Sequence, residues 1–417
     1  MFRDALKRAV LRYDDGLPFT RSLMNTDRID GAGYPLGFKV RSGTRAATVA
    51  GSAPARDVFR VEARTIWGHQ KEVVVEEGAG GNAWRLTSDE GAILKGTDLA
   101  PFPLAFFNAG LHADFVNRAL AIAHAQGVPL NITGITLDNH YAFNGSFFKG
   151  TGEGSAEAVT VNVRARSDAP RGAVQRVFDA ALAASPAHAL MAQAQRNTFA
   201  LYVNGRRCPV TRVAASASVD QQDPFKAHAA APAPLAGTAS AYTAVECIER
   251  ALPPGPPPVM SAEGRVPILI PGESVLPDTG GVVATTVTPR VGNVFRITCD
   301  ERAAGNGNDS AAPSGLACIA AGIAFCYMTQ FTRYIEHRSH KVRAIRFVQT
   351  LPFTLTGSVA DGSLRGGLEP VDTHVFLHAE EPDEVMQNLL EVAENTCYLH
   401  AALRSVLPGK VVLTLNA

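Results

Sequence analysis

The stretch Leu316-Ala-Cys-Ile-Ala-Ala-Gly-Ile-Ala-Phe-Cys-Tyr-Met328 is the longest apolar run of this 417-residue chain. It follows Pro313-Ser314, a pair that favours the start of a helix, and we expect the helix to continue to about His337. A helix that is apolar almost all round is buried on every side. The run is shorter than the roughly 20 residues that cross a bilayer. It therefore predicts the central helix of a folded core, and no membrane as partner.

A similar pattern of residues occurs earlier in the chain, at a constant offset of 212 residues. The offset aligns residues 101–205 with 313–417 without a gap and pairs residues whose backbone geometry is restricted, among them Gly110 with Gly322, Gly145 with Gly357, Pro170 with Pro382 and His188 with His400. Before the helix, Trp84-Arg-Leu-Thr matches Phe295-Arg-Ile-Thr at an offset of 211, so the repeat extends into a β-meander. The sequence predicts two copies of one α+β module, fused as a pseudo-dimer.

The same order of elements is predicted in each copy: a meander, a long central helix, two strands, another strand, a second helix and a closing strand. The first central helix runs from about Leu104 to Gln126 and ends at Gly127, a residue that terminates helices. The second helices begin after Pro170 and Pro382. The predicted strands lie at 58–77, 131–148, 158–166 and 199–203 in the first copy, and at 343–359, 371–378 and 411–415 in the second.

Four segments follow from this pattern: an N-terminal extension (1–55), a degenerate module (56–211), a tether rich in Ala and Pro (212–264) and a module with a cysteine pair (265–417). The composition of the tether indicates an extended, semi-rigid connection that is long enough to cross the whole face of a pseudo-dimer. Within it, Tyr242–Arg250 is interpreted as a short helix, and Met1–Arg12 as a basic amphipathic surface helix.

Composition excludes several classes of partner. Lys and Arg total 39 and so do Asp and Glu, so the net charge is zero and nothing indicates a nucleic acid. The first residues lack the apolar segment of a signal peptide. We therefore expect a cytoplasmic protein whose six cysteines are reduced, and in which a paired set of cysteines is more often catalytic than structural.

Cys326 and Cys397 are the candidate catalytic residues. Taken singly, each is explained as a small buried side chain. However, the aligned positions in the first copy hold Asp114 and Ser185, which are polar where a packing role would favour Ala or Val. The second copy therefore carries the active site and the first copy is silenced.

Other candidates are weaker. Cys318 lies eight residues from Cys326, about 12 Å along a helix, which is beyond the roughly 7 Å between the Cα atoms of a disulfide. Cys208, Cys247 and Cys299 have no motif around them and are interpreted as bystanders. Arg290, in the turn before Phe295, is the candidate cation that stabilises the thiolate; its counterpart is Ala79.

No cofactor or metal site is expected. The chain has no Cys-x-x-Cys, His-Glu-x-x-His or P-loop motif, and Gly150-Thr-Gly-Glu-Gly-Ser does not open a helix. His337 and His340 are interpreted as the solvated end of the central helix.

Three segments of the second copy resemble the OsmC/Ohr family of thiol-dependent peroxidases: Gly322-Ile-Ala-Phe-Cys-Tyr-Met-Thr, Thr396-Cys-Tyr-Leu-His-Ala-Ala-Leu and the turn Pro289-Arg-Val-Gly. Members of that family form intertwined homodimers, which a tandem fusion would reproduce within one chain. The family's Pro-Glu helix start is here Pro313-Ser314, and Asp300, Glu301 or Asp309 would have to replace the glutamate that holds the arginine.

The resemblance implies that Cys326 attacks a peroxide oxygen and that Cys397 closes a disulfide, which an external dithiol reduces. The expected substrate is a small apolar or aromatic hydroperoxide or a related electrophile. Two alternatives stay open: a hydrolase with Cys326 as nucleophile and a nearby His or Asp as base, and a non-catalytic binding protein. Further self-association into a homo-oligomer is also left open.

Overall fold

The computed structural model describes residues 28–41, 55–78, 81–147, 149–224, 232–236, 243–252, 265–277, 281–301, 310–360 and 362–416. Within these ranges the chain forms seven α-helices, a 3-10 helix at Ala92–Leu94 and two sheets, which confirms the α+β prediction. The helix predicted for Met1–Arg12 lies outside them. The helices are α1 (Ile29–Ala32), α2 (Pro103–Ala125), α3 (Arg171–Ala184), α4 (Pro186–Ala192), α5 (Gly315–Arg338), α6 (Asp383–Thr396) and α7 (Tyr398–Arg404).

Eighteen strands occur in the described residues. They are β1 (Gly37–Val40), β2 (Ala55–Trp67), β3 (Gln70–Glu76), β4 (Ala83–Ser88), β5 (Asn131–Asn144), β6 (Glu153–Ala156), β7 (Thr160–Arg166), β8 (Thr198–Val203), β9 (Arg206–Cys208), β10 (Ala214–Ala215), β11 (Val245–Leu252), β12 (Val266–Val275), β13 (Val282–Val287), β14 (Gly292–Asp300), β15 (Val342–Thr356), β16 (Arg365–Leu368), β17 (Asp372–Ala379) and β18 (Lys410–Asn416).

Both sheets contain strands of both copies. Sheet A has the order β1-β4-β3-β2-β15-β17-β8-β10, with β16 beside β15 and β9 beside β8. Sheet B has the order β11-β14-β13-β12-β5-β7-β18, with β6 beside β5. The antiparallel pair β2–β15 in sheet A has its counterpart in β12–β5 of sheet B, and the parallel pair β17–β8 has its counterpart in β7–β18. These exchanged pairings support the interpretation as an intertwined pseudo-dimer.

The two central helices lie between the sheets. Helix α5 packs on β2, β3 and β15 of sheet A, whereas α2 packs on β12, β13 and β14 of sheet B. Twenty of the 24 residues of α5 are buried, as the apolar run predicted. The aligned glycines mark the crossing: a Cβ on Gly110 would lie 2.5 Å from the carbonyl oxygen of Gly315, and one on Gly322 would lie 3.0 Å from the amide nitrogen of Phe107. Each central helix therefore lies mainly against the meander of the other copy.

The ends of the central helices agree with the sequence signals. Ser314 precedes α5, and its hydroxyl accepts a hydrogen bond of 3.2 Å from the amide of Ala317. After α2, Gly127 has a φ of +63°, a conformation that glycine adopts without strain.

The second helix of each copy is broken. Ser185 separates α3 from α4, and Cys397 separates α6 from α7, both in extended conformation. The prediction that Cys397 lies within a helix was therefore wrong. In the first copy Pro186 explains the break, because a residue before proline avoids the helical conformation. In the second copy the break is at the same aligned position although Tyr398 replaces the proline.

Residues 214–224 of the tether run along sheet A, whereas its residues 245–252 pair in sheet B. Backbone and side chains of 214–224 contact β8, β17, β2 and β15 in turn, for example through Asp220 to Tyr202 and Asp223 to Arg346, and Leu235 bonds Lys39 of β1. The helix predicted at Tyr242–Arg250 was wrong: Val245–Leu252 is strand β11, which pairs with the edge strand β14 and satisfies its backbone groups. The four segment boundaries themselves stay a prediction.

Among the described residues, one helix is long and apolar enough to cross a membrane, namely Gly315–Arg338. The qualifying part of this helix is entirely buried inside the protein. It is the core helix of the fold.

Candidate active site

The structure brings Cys326 and Cys397 together. Their sulfur atoms lie 3.4 Å apart, although the residues are 71 positions apart in sequence. Cys326 lies in the middle of α5 and Cys397 at the junction of α6 and α7; their exposed fractions are 2% and 0%. Both are free thiols. Two thiols at this distance need only a small movement to form a disulfide, whose sulfurs are about 2 Å apart.

Cys397 is held by the helix break. Its carbonyl accepts the first hydrogen bond of α7, from the amide of Ala401, at 2.9 Å. Burial raises the pKa of the Cys397 thiol well above its ordinary value, and the neighbouring Cys326 sulfur raises it further; the backbone amides of Leu399 and His400 act in the opposite direction. Cys397 therefore keeps its proton when the pair is reduced.

A glycine of the first copy packs against this junction. A Cβ on Gly154 of β6 would lie 2.9 Å from the carbonyl oxygen of Thr396 and 3.3 Å from the carbonyl carbon of Cys397. Arg404 at the end of α7 donates to the carbonyl of Gly154 at 3.2 Å. At the other junction, Gly366 of β16 approaches Ser185 and Pro186 in the same way. The hairpin of each copy therefore supports the helix break of the other.

The first copy has a polar pair where the second has thiols. Ser185 donates a hydrogen bond of 2.5 Å to Asp114, and the amide of Ala187 donates to the same carboxylate oxygen at 3.1 Å. Arg118 lies 3.3 Å from the other oxygen of Asp114. The carboxylate thus holds the start of α4 and is itself fully engaged. The offset of 212 residues therefore matches the two positions in space as well as in sequence.

Tyr141 is a residue of the thiol site that the sequence interpretation missed. It belongs to β5 of the first copy, is 2% exposed, and its ring lies 5.8 Å from that of Tyr398. Burial raises its pKa well above 10, and charge on Cys326 and Cys397 raises it further, which identifies the thiols as its ionisable neighbours. Among the described residues, no group accepts or donates a hydrogen bond at its hydroxyl. The aligned residue in the second copy is Phe353, which has no hydroxyl.

Arg333 is a cation that bonds Tyr398, the residue after Cys397. It is one helical repeat of seven residues beyond Cys326, on the same face of α5, and donates to Gln330 at 3.0 Å. Its guanidinium stacks at 4.7 Å on the ring of Phe147, which belongs to the first copy. Burial raises the pKa of Tyr398 to about 12, while Arg333 lowers it by its charge and a hydrogen bond. The spacing of seven residues from Cys326 was the sequence signal that could have identified Arg333.

Arg290 lies elsewhere. It is exposed, in the turn between β13 and β14, and the neighbouring Asn293 fastens that turn to Asp98 through bonds of 2.7 and 2.6 Å. These strands pack on α2, so the turn faces the other central helix. No described contact joins Arg290 to either thiol. No described contact therefore supports its predicted role in stabilising the thiolate. The reason is that the meanders are exchanged between the copies, so the meander with Arg290 packs on α2.

The acidic residues considered as substitutes for the family's glutamate have another role here. Asp300 accepts the amide of Ala311 at 2.8 Å, and Glu301 accepts the amide of Gly315 at 2.7 Å. Glu77 of the first copy accepts the amide of Ser314 at 2.8 Å. These carboxylates hold the start of α5; Asp309 lies outside the described residues.

Among the described residues, no imidazole ring and no carboxylate has a hydrogen bond to either sulfur. His400, three residues after Cys397, packs on Tyr327 with ring centroids 4.5 Å apart. Burial lowers its pKa to about 3, so it is neutral. The two sulfurs contact each other, and the backbone amides of Leu399 and His400 also bond the Cys397 sulfur.

The remaining cysteines divide into two groups. Cys208 lies beside Arg206 on the edge of sheet A and Cys247 lies on β11. Cys299, interpreted from the sequence as a bystander, is not isolated: its sulfur lies 3.5 Å from that of Cys318. Within the described ranges, no three His, Cys, Asp or Glu side chains converge as metal ligands; His337 packs on Phe147 and His340 faces Glu381.

Comparison with known proteins finds a family match within the second copy. Residues 306–411 match the family model described as OsmC-like protein. The resemblance stated from the sequence is thereby confirmed for this part of the chain, whereas the tandem fusion stays an interpretation supported by the aligned residues and exchanged strands.

A solved structure is also similar to part of this chain: an OsmC-like hydroperoxide resistance protein from Jannaschia sp. CCS1. The two share 20% sequence identity over an alignment that covers 31% of this chain and 80% of the other, with a TM-score of 0.20. No curated protein matches the chain.

Proposed function

We propose that this protein is a cysteine-dependent oxidoreductase that reduces an organic hydroperoxide, with Cys326 as the attacking and Cys397 as the resolving residue. The observation that supports it most is the 3.4 Å contact between the two sulfurs. The family of the second copy makes peroxide chemistry the first expectation. Cys326 is the attacking residue because it alone retains exposure, 2% against 0%, and because burial keeps Cys397 protonated.

The reaction balances with an external dithiol. The Cys326 thiolate forms a bond to the terminal peroxide oxygen, the O–O bond breaks, and the alcohol leaves with the proton that the thiol released. Cys397 then attacks the sulfenic acid, forms the disulfide and releases water. A dithiol reduces that disulfide by two exchange steps and is itself oxidised.

The surroundings indicate the class of substrate. Tyr141, Tyr398 and Phe147 place three aromatic rings near the thiols or the adjoining Arg333. An apolar or aromatic organic hydroperoxide gains from contact with such surfaces, which hydrogen peroxide does not. Because the thiols must be reduced between turnovers, a reducing compartment such as the cytoplasm suits the cycle.

Tyr141 fits a role in the first step. Its hydroxyl is buried, has no described partner and remains protonated, so it can donate a hydrogen bond to the Cys326 sulfur or to the departing alkoxide without losing its proton. In this scheme the silenced copy supplies Tyr141 and the glycine that packs on Cys397.

Single variants distinguish this function from the alternatives. With cumene hydroperoxide and a dithiol, turnover by Cys397→Ser should collapse, with one oxidation event per Cys326 remaining, and Cys326→Ser should be inactive. A hydrolase would retain ester hydrolysis in Cys397→Ser and lose it only in Cys326→Ser. If neither substitution changes any activity, the binding-protein interpretation replaces ours. Intact mass after mild peroxide treatment should show loss of two hydrogens, mapped to Cys326 and Cys397.

A further inference from the structure

A second pair of thiols lies near the start of α5. The sulfur of Cys299, on β14, is 3.5 Å from the sulfur of Cys318, in the first turns of α5. Both residues have no solvent exposure and both are free thiols. The pair joins the last strand of the second meander to the central helix that follows it.

This pair is separate from the proposed site. Cys318 and Cys326 are eight residues apart on one helix, about 12 Å along its axis, so they do not exchange a disulfide directly. The aligned positions in the first copy are Ser88 and Phe106. The second pair, like the first, therefore occurs in the second copy alone.

We propose that Cys299 and Cys318 form a second disulfide, made by oxidation with a small hydroperoxide, that ties β14 covalently to α5. One thiol attacks the peroxide, which forms an S–O bond, breaks the O–O bond and releases alcohol or water. The other thiol then displaces water from the sulfenic acid and forms the S–S bond. The two thiol protons leave in the two released molecules. The inference does not depend on the proposed peroxidase function.

The surroundings make this a slow, stable cross-link. The hydrogen-bonded Cys318 sulfur and burial raise the pKa of Cys299 well above its ordinary value, and the charges of Glu301 and Glu77 raise it further. A thiol that rarely ionises reacts slowly with peroxide. Once formed, a bond without solvent exposure is shielded from a dithiol. We therefore expect a structural cross-link that accumulates slowly during prolonged exposure to peroxide.

The link would fix a segment that is otherwise held by hydrogen bonds. Residues 300–317 connect the two cysteines. In their described part, the amide of Ser314 donates to Glu77, the amide of Gly315 to Glu301, and the amide of Ala317 to the Ser314 hydroxyl. Closing this loop lowers the entropy of the unfolded chain. The oxidised protein should therefore unfold at a higher temperature than the reduced one.

The test uses the full chain with both proposed catalytic thiols removed, Cys326→Ser/Cys397→Ser. After prolonged treatment with hydrogen peroxide, intact mass should fall by two hydrogens, and peptide mapping should join Cys299 to Cys318. Tm should rise by a few degrees, and a dithiol should reverse this quickly only after unfolding. Adding Cys299→Ser, which reproduces Ser88 of the first copy, or Cys318→Ala should abolish both effects.

Recovery of both thiols as free, alkylated cysteines after denaturation would overturn the proposal. So would a gain of oxygen at either sulfur without cross-linking. The variant used in this test lacks Cys326 and Cys397, so either result is independent of the proposed peroxidase function. That function is tested separately, by peroxide turnover of the wild-type chain.

Discussion

Cys326 and Cys397 differ in their surroundings although their sulfurs are in contact. Cys326 lies on a helix face that continues to Gln330 and Arg333, while Cys397 is enclosed at a helix junction. Tyr141, a phenol whose pKa is raised by charge on both thiols, comes from the first copy. At this scale the site is composite, and it combines Cys397 with Tyr141, a residue 256 positions away in the sequence.

Tyr141→Phe should slow the oxidation of Cys326 by an organic hydroperoxide about tenfold or more, because it removes one hydrogen bond to a charged sulfur or oxygen, which contributes roughly 1.5–3 kcal/mol. The measurement is the second-order rate of sulfenic acid formation against pH, in the Cys397→Ser background. The fold should tolerate the change, since Phe353 occupies the aligned position. An unchanged rate and pH profile would contradict the role of Tyr141 while leaving the peroxidase function intact.

Substitution of Arg333 and substitution of Arg290 should have different effects on the rate of Cys326 oxidation. Arg333→Gln should lower the same rate about threefold to tenfold, since a partly screened charge contributes roughly 1 kcal/mol. Arg290→Gln is the matched control and should leave the rate unchanged, because Arg290 has no described contact with the thiols. Loss of rate in the Arg290 variant alone would favour the assignment made from the sequence.

The helix break and the start of α5 are the elements that position the thiols. Each second helix ends where a glycine from the other copy packs on the junction. The start of α5 receives carboxylates from both copies, Glu77 and Glu301. The local sequence therefore determines the residue at which each helix ends. Strands of the other copy fix the position of that residue in the fold.

Gly154→Ala should destabilise the protein by about 1–3 kcal/mol, because its Cβ would overlap the backbone at Thr396 and Cys397. It should also slow closure of the Cys326–Cys397 disulfide. The control is Gly366→Ala, whose Cβ would lie 2.5 Å from the amide nitrogen of Pro186 at the silenced junction. Chemical unfolding and stopped-flow oxidation measure the two effects, and equal disulfide kinetics in both variants would argue against the junction model.

The free energy of unfolding should depend on pH through the protonation of Glu301. Burial raises its pKa from 4.5 to about 7, and the charge of Asp114 contributes. The folded state therefore binds this proton more tightly than the unfolded state. The stabilisation is complete below about 4.5 and is lost as the pH rises through 7. Glu301→Gln, which keeps an oxygen for the amide of Gly315, should flatten this part of the curve of unfolding free energy against pH. An unchanged slope between these values would refute the assignment.

In the whole molecule, neither copy closes its own sheet. Strand β15 needs β2 of the first copy, β12 needs β5, and β18 pairs with β7. Each central helix packs mainly on the meander of the other copy. The first copy therefore contributes strands to both sheets and places Tyr141 beside the thiols.

Residues 265–417 expressed alone should not form a stable monomer, because their strands and central helix would expose the surfaces that the first copy covers. We expect aggregation or a homodimer of this segment, without Tyr141. Size-exclusion chromatography with circular dichroism measures this, and a folded, monomeric segment would contradict the exchanged topology.

The sequence by itself determined the α+β class, the two central helices with their glycine and serine ends, the repeat, and the identity of the two paired thiols. These follow from local backbone preferences and from the comparison of aligned positions, both of which are present in the chain itself. The break at Cys397 and strand β11 were missed, because packing against Gly154 and the free edge of β14 outweighs local preference.

Only the tertiary structure decided which side chains surround the thiols. It placed Tyr141 and Arg333 there, left Arg290 on the opposite meander, and joined Cys299 to Cys318. The physical reason is the exchange of strands between the copies: a residue's neighbours are then set by pairing across the sheets, where sequence distance carries no information about contact.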